Sequence, residues 1–252
     1  MSIKGKVALV TGGSGGLGRV HCLTLGRAGC RVAVTGHSHL EKAEEVVKEI
    51  HGMGEKAIAL KMDLTDLTDV QAGIEKAEAT LGPLDILVNN AAFGIVRAVT
   101  IAKTDKKDWD HDLSVNLTGA FNTIKCCMPG MTERGWGRII NISSITGTMG
   151  GMGQCSYAAT KAGLIGLTKT AALEGSRKGV TCNALVLGVF DSGSFNEVAP
   201  EFQERIIKSI ALRRAGDPQE LSNVLAFLAS EESSYITGEA IEISGGAGLF
   251  IF

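Results

Sequence analysis

Residues 11–18 read Thr11-Gly12-Gly13-Ser14-Gly15-Gly16-Leu17-Gly18, directly after a short buried-strand pattern, Lys6-Val7-Ala8-Leu9-Val10-Thr11. A helical pattern follows from Arg19 to about Ala28. Glycines at a strand-to-helix junction let the backbone approach a pyrophosphate closely, and the helix N-terminus offers free N–H groups with positive dipole character. The spacing is Gly-x-x-x-Gly-x-Gly rather than Gly-x-Gly-x-x-Gly. It is not a P-loop, because no Lys-Ser/Thr pair follows the glycines.

Outward from this turn the same rhythm repeats. Short β-rich runs occur at 31–35, 57–62, 85–89, 138–142, 180–186 and 240–243. Between them lie helical patterns at 42–51, 66–80, 109–130, 157–177, 201–210 and 218–230. Short apolar strands alternating with helices predict a parallel sheet covered on both faces. The expectation is an α/β fold: a single Rossmann-type doubly wound domain over 1–252, with about seven strands. A mobile loop is expected at about 188–210, where Gly, Ser and Asp cluster first.

The composition sets bounds. The 252 residues are 44% hydrophobic and 21% charged, enough apolar material for an independent core. A net charge of −2 argues against a dominant nucleic-acid or anionic-membrane surface. The apolar stretches are far short of a membrane span, and Met1-Ser2-Ile3-Lys4-Gly5 has no secretory apolar region, so a cytoplasmic chain is expected. The six cysteines form no CxxC pair and no His/Cys cluster has zinc-ligand spacing; reduced thiols and no metal are expected.

A second constellation lies in the middle of the chain. Tyr157 and Lys161 stand one helical turn apart and share a face. Ser144 closes the strand in Asn141-Ile142-Ser143-Ser144, and Asn116 opens Asn116-Leu117-Thr118-Gly119-Ala120 on the preceding long helix. A tyrosine with a free pKa of about 10 needs a downward shift to exchange protons near neutrality, and a lysine ammonium one turn away favours the phenolate.

With the Thr-Gly-x-x-x-Gly-x-Gly turn, these four positions make the chain resemble the short-chain dehydrogenase/reductase family from Lys6 to Gly246. The resemblance implies hydride transfer between a nicotinamide and a ketone or secondary alcohol. It implies Tyr157 as acid/base, Ser144 polarising the carbonyl oxygen, Lys161 tuning Tyr157 and binding the nicotinamide ribose, and Asn116 holding a proton-relay water. The cofactor contacts expected are Gly12, Ser14, Gly16, Leu17 and Gly18 in the turn, His37 and Ser38 after the second strand, and Asp63 and Leu64 after the third. Asn90 and Ala91, then Tyr157 and Lys161, then Val189 and Ser192 complete the set. The second strand runs into Thr35-Gly36-His37-Ser38-His39 with no carboxylate before Glu41, so NADP(H) is favoured over NAD(H).

Ser143-Ser144, Gly147-Thr148-Met149-Gly150, Gly153-Gln154 and Tyr157-Ala158-Ala159 look most like 3-oxoacyl-thioester reductases, and Arg134-Gly135-Trp136-Gly137-Arg138 resembles acetoacetyl-CoA reductases. A small-molecule carbonyl or acyl-thioester substrate is expected, with acyl carrier protein or CoA as carrier. Arg134, Arg138, Arg177 and Lys178 are candidates to dock that carrier. The alternatives are an NAD-dependent catabolic alcohol or hydroxyacyl-CoA dehydrogenase, and a non-catalytic nucleotide-binding protein. The chain departs from the family's usual pattern at Ala92, at Leu187-Gly188 and at Ser192. The apolar Leu249-Phe250-Ile251-Phe252 and the Ala-rich helix from Tyr157 suggest subunit interfaces, and the resemblance implies a homotetramer.

Overall fold

The computed structural model describes residues 3–95 and 97–249. Its strands are β1 (Val7–Val10), β2 (Arg31–Gly36), β3 (Ala57–Lys61), β4 (Ile86–Asn89), β5 (Gly137–Ser144), β6 (Val180–Leu187) and β7 (Ala240–Ile243). They form one seven-stranded sheet in the order β3-β2-β1-β4-β5-β6-β7. Every pairing is parallel. The chain runs outward from β1 to β3, then returns past β1 to begin the second half at β4. That reversal leaves a crevice at the carboxyl ends of the central strands.

Period-two alternation divides the core. Ala8 and Val10 of β1 join one apolar cluster with Val32, Val34, Ile86 and Val88. Helices α1 (Gly16–Arg27), α2 (Leu40–Gly52) and α10 (Pro218–Leu228) cover it with Leu25, Ile50 and Leu225. Val7 and Leu9 join the opposite cluster with Leu60, Leu87 and Ile139. There α3 (Leu67–Leu81), α5 (Gly119–Arg134) and α7 (Cys155–Gly175) supply Ile74, Met131 and Ala171.

Two stretches differ from their sequence pattern. The single helix expected at 109–130 is α4 (Lys106–Leu113), a π-helical turn (Ser114–Thr118) and then α5. Asp105 caps its start by accepting from the Lys107 amide, and Gly135 ends it in the left-handed conformation at φ 71°. The π turn contains Asn116, and such a local widening commonly marks a functional position. The loop expected at about 188–210 contains a short helix, α8 (Gly193–Asn196), that the pattern does not show, ahead of α9 (Pro200–Ser209), which matches the helical pattern at 201–210. A further short helix, α6 (Thr146–Met149), follows β5.

One buried histidine reports on the α1–α10 contact. His21 Nδ1 lies 2.8 Å from Ser222 Oγ, and that hydroxyl donates to the Pro218 carbonyl. His21 Nε2 has no partner among the described residues. Burial pushes the imidazole down to about 3. The unfolded chain therefore takes up this proton first, so the stability it confers is complete above the unfolded value of about 6.5 and is lost as pH falls toward 3. Replacing His21 with Gln is expected to make the fall in unfolding free energy between pH 6 and 4 shallower, by up to about 1.4 kcal/mol per pH unit. Denaturant melts at several pH values check this, and an unchanged slope would show that His21 is not the group responsible.

Candidate active site

The carboxyl ends of β1, β4, β5 and β6 open into a cavity of about 580 Å³. The glycine turn forms one wall. Gly12 and Gly16 have φ of 62° and 50°, a region that favours glycine. A Cβ on Gly18 would stand 2.1 Å from the Gly12 carbonyl oxygen, so the turn closes only around a bare Cα. Gly15 caps α1 without a side-chain hydrogen bond, and no acidic residue occupies the first turn. The helix thus presents free amides and no negative charge toward the cavity. These features fit a dinucleotide pyrophosphate.

Thr11 joins this turn to the end of β4. Its hydroxyl accepts from the amides of Asn90 (2.9 Å) and Ala91 (3.0 Å), and Asn90 Nδ2 donates to the Thr11 and Gly12 carbonyls. The sequence reading named Asn90 and Ala91 but not Thr11, although Thr11 opens the motif. Gly12, Gly16, Leu17, Gly18, Asn90, Ala91, Val189 and Ser192 all line the cavity.

The catalytic candidates come from β5 and α7. Ser144 ends β5, while Tyr157 and Lys161 lie in the first turns of α7, and all three line the cavity. Lys161 is 1% exposed, and its Nζ donates to the Ile142 carbonyl at 2.7 Å. Burial pushes its pKa down to about 8. The ammonium sits 5.4 Å from the centroid of the Tyr157 ring. In the protein alone Tyr157 is not shifted downward as the sequence suggests. Burial pushes the phenol up to about 12, opposed by its hydrogen bond with Ser144. The Ser144 hydroxyl also accepts from the Thr146 amide at 3.2 Å, which anchors it at the start of α6.

Asn116 sits behind the cavity wall. It is 2% exposed, its Oδ1 accepts from the Phe93 amide at 2.7 Å and its Nδ2 donates to the Phe93 carbonyl at 2.9 Å. Nδ2 also lies 3.4 Å from the Thr160 hydroxyl, so Asn116 joins the segment after β4 to the helix that carries Lys161. Ser14, His37, Ser38, Asp63 and Leu64 lie outside the cavity lining. His37 bonds Ser38 at 2.9 Å, and its Nε2 stands 3.9 Å from Asp63. Asp63 accepts from the Thr65 hydroxyl and amide, which hold its carboxyl below the usual range. His39 pairs with Glu41 at 3.0 Å.

Lining residues without a sequence signal supply the apolar walls: Ile95 on one side, Phe195, Val198 and Ile206 from the α8–α9 segment on the other, while Gln154, part of the Gly153-Gln154 stretch, also lines it. Cys155 lies off the cavity, half-buried, with its thiol 3.3 Å from the Thr104 hydroxyl. The arginines proposed to dock a carrier stand elsewhere. Arg138 begins β5, about 20 Å from Ser144 at the strand's rise per residue. It is buried and bonded to the Ser230 and Gly137 carbonyls and to Glu231, while Arg134 bonds the Leu84 carbonyl. Arg177 and Lys178 follow the far end of α7, about 30 Å from its start. None of the four lines this chain's own cavity.

Among the described residues there is no group of metal ligands and no helix long and apolar enough to cross a membrane. The family model for short chain dehydrogenase matches residues 6–202. Over 241 residues the chain is 42% identical to a 3-oxoacyl-(acyl-carrier-protein) reductase of Staphylococcus aureus, covering 96% of this chain and 97% of the relative. It is equally similar, at 42% over 242 residues, to an acetoacetyl-CoA reductase of Rhizobium meliloti, covering 96% and 98%. A solved structure of NAD+-bound xylitol dehydrogenase superposes with a TM-score of 0.93 at 29% identity, covering 98% of this chain and all of that one.

Proposed function

Since the chain belongs to the short-chain dehydrogenase family, we propose that it reduces a 3-oxoacyl thioester to the 3-hydroxyacyl thioester at the cavity bounded by Ser144, Tyr157 and Lys161. The observation that carries this reading is the convergence of those three side chains on one cavity whose opposite wall is the glycine turn. The near-full-length similarity to two thioester reductases supports the substrate class.

The turn 12–18 and the N-terminus of α1 would hold the nicotinamide cofactor's pyrophosphate, with Asn90, Ala91, Val189 and Ser192 beside the rest of it. The reduced nicotinamide supplies the hydride. The chain's residues handle the oxygen and the proton. Ser144, fixed by Thr146, donates to the carbonyl oxygen, and Tyr157 delivers the proton to it as charge develops there. Lys161, already charged at neutral pH despite burial, lowers the cost of leaving a phenolate behind. Asn116 contributes by fixing Phe93 and the wall that continues to Ile95. The α8–α9 segment acts as a lid, laying Phe195, Val198 and Ile206 over an acyl chain. Tyr157→Phe is expected to retain NADPH binding and to lose acetoacetyl-CoA turnover by at least about 100-fold. Steady-state kinetics with fluorescence titration of NADPH check both halves, and near-normal turnover would remove Tyr157 from the mechanism.

NADP(H) is the preferred cofactor in this reading. His37 and Ser38 offer donors at the end of β2, and the carboxylates nearby, Asp63 and Glu41, are engaged by Thr65 and His39. The NAD+-bound neighbour motivates the opposite choice. Dissociation constants for NADPH and NADH are expected to differ at least tenfold, about 1.4 kcal/mol, in favour of NADPH; tighter NADH would point to an oxidising alcohol dehydrogenase.

The assembly is a homotetramer in this proposal. Phe121 on α5 and Leu173 on α7 are exposed apolar side chains on the two long helices of one sheet face, and Leu249 is exposed near the C-terminus. Phe250, Ile251 and Phe252 lie outside the described residues. Light scattering is expected to give about four times the 26.3 kDa chain mass, and a monomeric mass would exclude this assembly.

A further inference from the structure

Asp112 is a carboxylate with 0% exposure, placed one helical turn before Asn116. An unpaired buried charge costs several kcal/mol, so its partners are informative. Its Oδ2 accepts from the Ser156 hydroxyl and from Arg97 Nη1 at 3.2 Å. Its Oδ1 has no hydrogen-bond partner among the described residues. Gly94 lies so close that a Cβ there would stand 2.7 Å from the carboxylate. Arg97 also reaches Asp108 at 3.6 Å.

These contacts tie three parts of the chain that meet at the substrate side of the cavity. The helix of Asp112 and Asn116 holds the segment after β4 twice, through Arg97 and through the Phe93 backbone. That segment holds the loop before α7 twice: Gln154 donates to the Ile95 carbonyl, and the Val99 amide donates to Gly153 at 2.9 Å. Asp112 closes the circuit by gripping Ser156, the residue before Tyr157. Hydrophobic residues in place of the charged pair would fill the same space without binding the hydroxyl.

We propose that Asp112 is a positioning residue: through Ser156 it fixes the first turn of α7, and so the direction of the Tyr157 phenol, against the Arg97-anchored wall of the substrate cavity. This rests on the catalytic reading above. Facing Tyr157 are Lys161 on its own helix and Ser144 at the end of β5; Asp112 acts from behind through the backbone.

Removing Asp112 outright would strand Arg97, so Ser156→Ala is the cleaner cut, with Ser156→Thr as the conservative rescue. Ser156→Ala is expected to lower kcat about tenfold, since small misplacement of a reacting group is costly. NADPH affinity is expected to be unchanged, and Ser156→Thr to restore kcat. A second readout needs no substrate. The chain has two tyrosines, so in a Tyr235→Phe background Tyr157 is the single phenol. Its titration is read by tyrosinate absorbance after a rapid pH jump. Burial raises this phenol, so a loosened first turn admits water and moves the midpoint down from about 12 toward the free value near 10. Ser156→Thr is expected to leave the midpoint in place. An unshifted midpoint in Ser156→Ala, an unchanged kcat, or an equal loss of NADPH affinity would each overturn the proposal. A parent enzyme that reduced no thioester would count against the proposed function, and the phenol midpoint alone would then decide the role of Asp112.

Discussion

A lysine ammonium held in the protein interior is the constraint around which the site is organised. Lys161 has one backbone carbonyl, that of Ile142, fixed at 2.7 Å. An ammonium has three donors, and Lys161 lines the cavity, so in the proposed reaction the remaining donors are available to what enters there. The backbone on either side is arranged to keep it in place. The Ser143 hydroxyl donates to the Lys161 carbonyl at 2.7 Å, and a Cβ on Gly147 would stand 2.6 Å from the Lys161 carbonyl carbon. Strand β5 and helices α6 and α7 are thus locked around the buried Lys161. The cost of burial shows in the pKa of about 8, low for lysine yet high enough to keep the charge near neutrality.

The two ends of the sheet divide the labour. At the carboxyl ends, hydroxyls and amides hold the glycine turn, Ser144 and the α7 start in register around open space. At the other end, Arg138 is buried against carbonyls and Glu231, with Trp136 stacked 4.4 Å from its guanidinium. This arginine network stitches the starts of β5 and β6 to the segment after α10. Arg138, which looks like a ligand contact in the linear sequence, is here an internal brace. Position along a parallel strand, which sequence alone gives only through the strand's direction, separates the two roles.

Much of the site was legible because its residues sit at junctions that pattern reveals. A glycine run after an apolar strand, a serine at the end of another, and a Tyr-Lys pair at helical spacing each announce their element and its end. Boundaries were shifted where capping or neighbours decide: β5 extends through Ser144 by pairing with all of β6, and α4 starts at Asp105's cap. The cavity walls were not legible. Ile95, Phe195, Val198 and Ile206 are ordinary apolar residues whose role depends on how the segments after β4 and β6 fold back. Asn116 illustrates a third case, since its position was readable but its partners, the Phe93 main chain and the Thr160 hydroxyl, were not.

The phenol shows why geometry has to be read together with occupancy of the cavity. Sequence reasoning places a cation next to Tyr157 and infers an acidified phenol. In the folded chain desolvation outweighs that cation, because the ammonium stands 5.4 Å from the ring centroid and Ser144 is the group that offsets burial. In the proposed reduction, a phenol raised by burial stays protonated until substrate arrives and can then donate its proton. In that reaction the same burial would also exclude water from the carbonyl oxygen. The arrangement therefore favours the phenol as acid in the resting protein, and it leaves the phenolate to be stabilised by charges that come together only at the reacting oxygen.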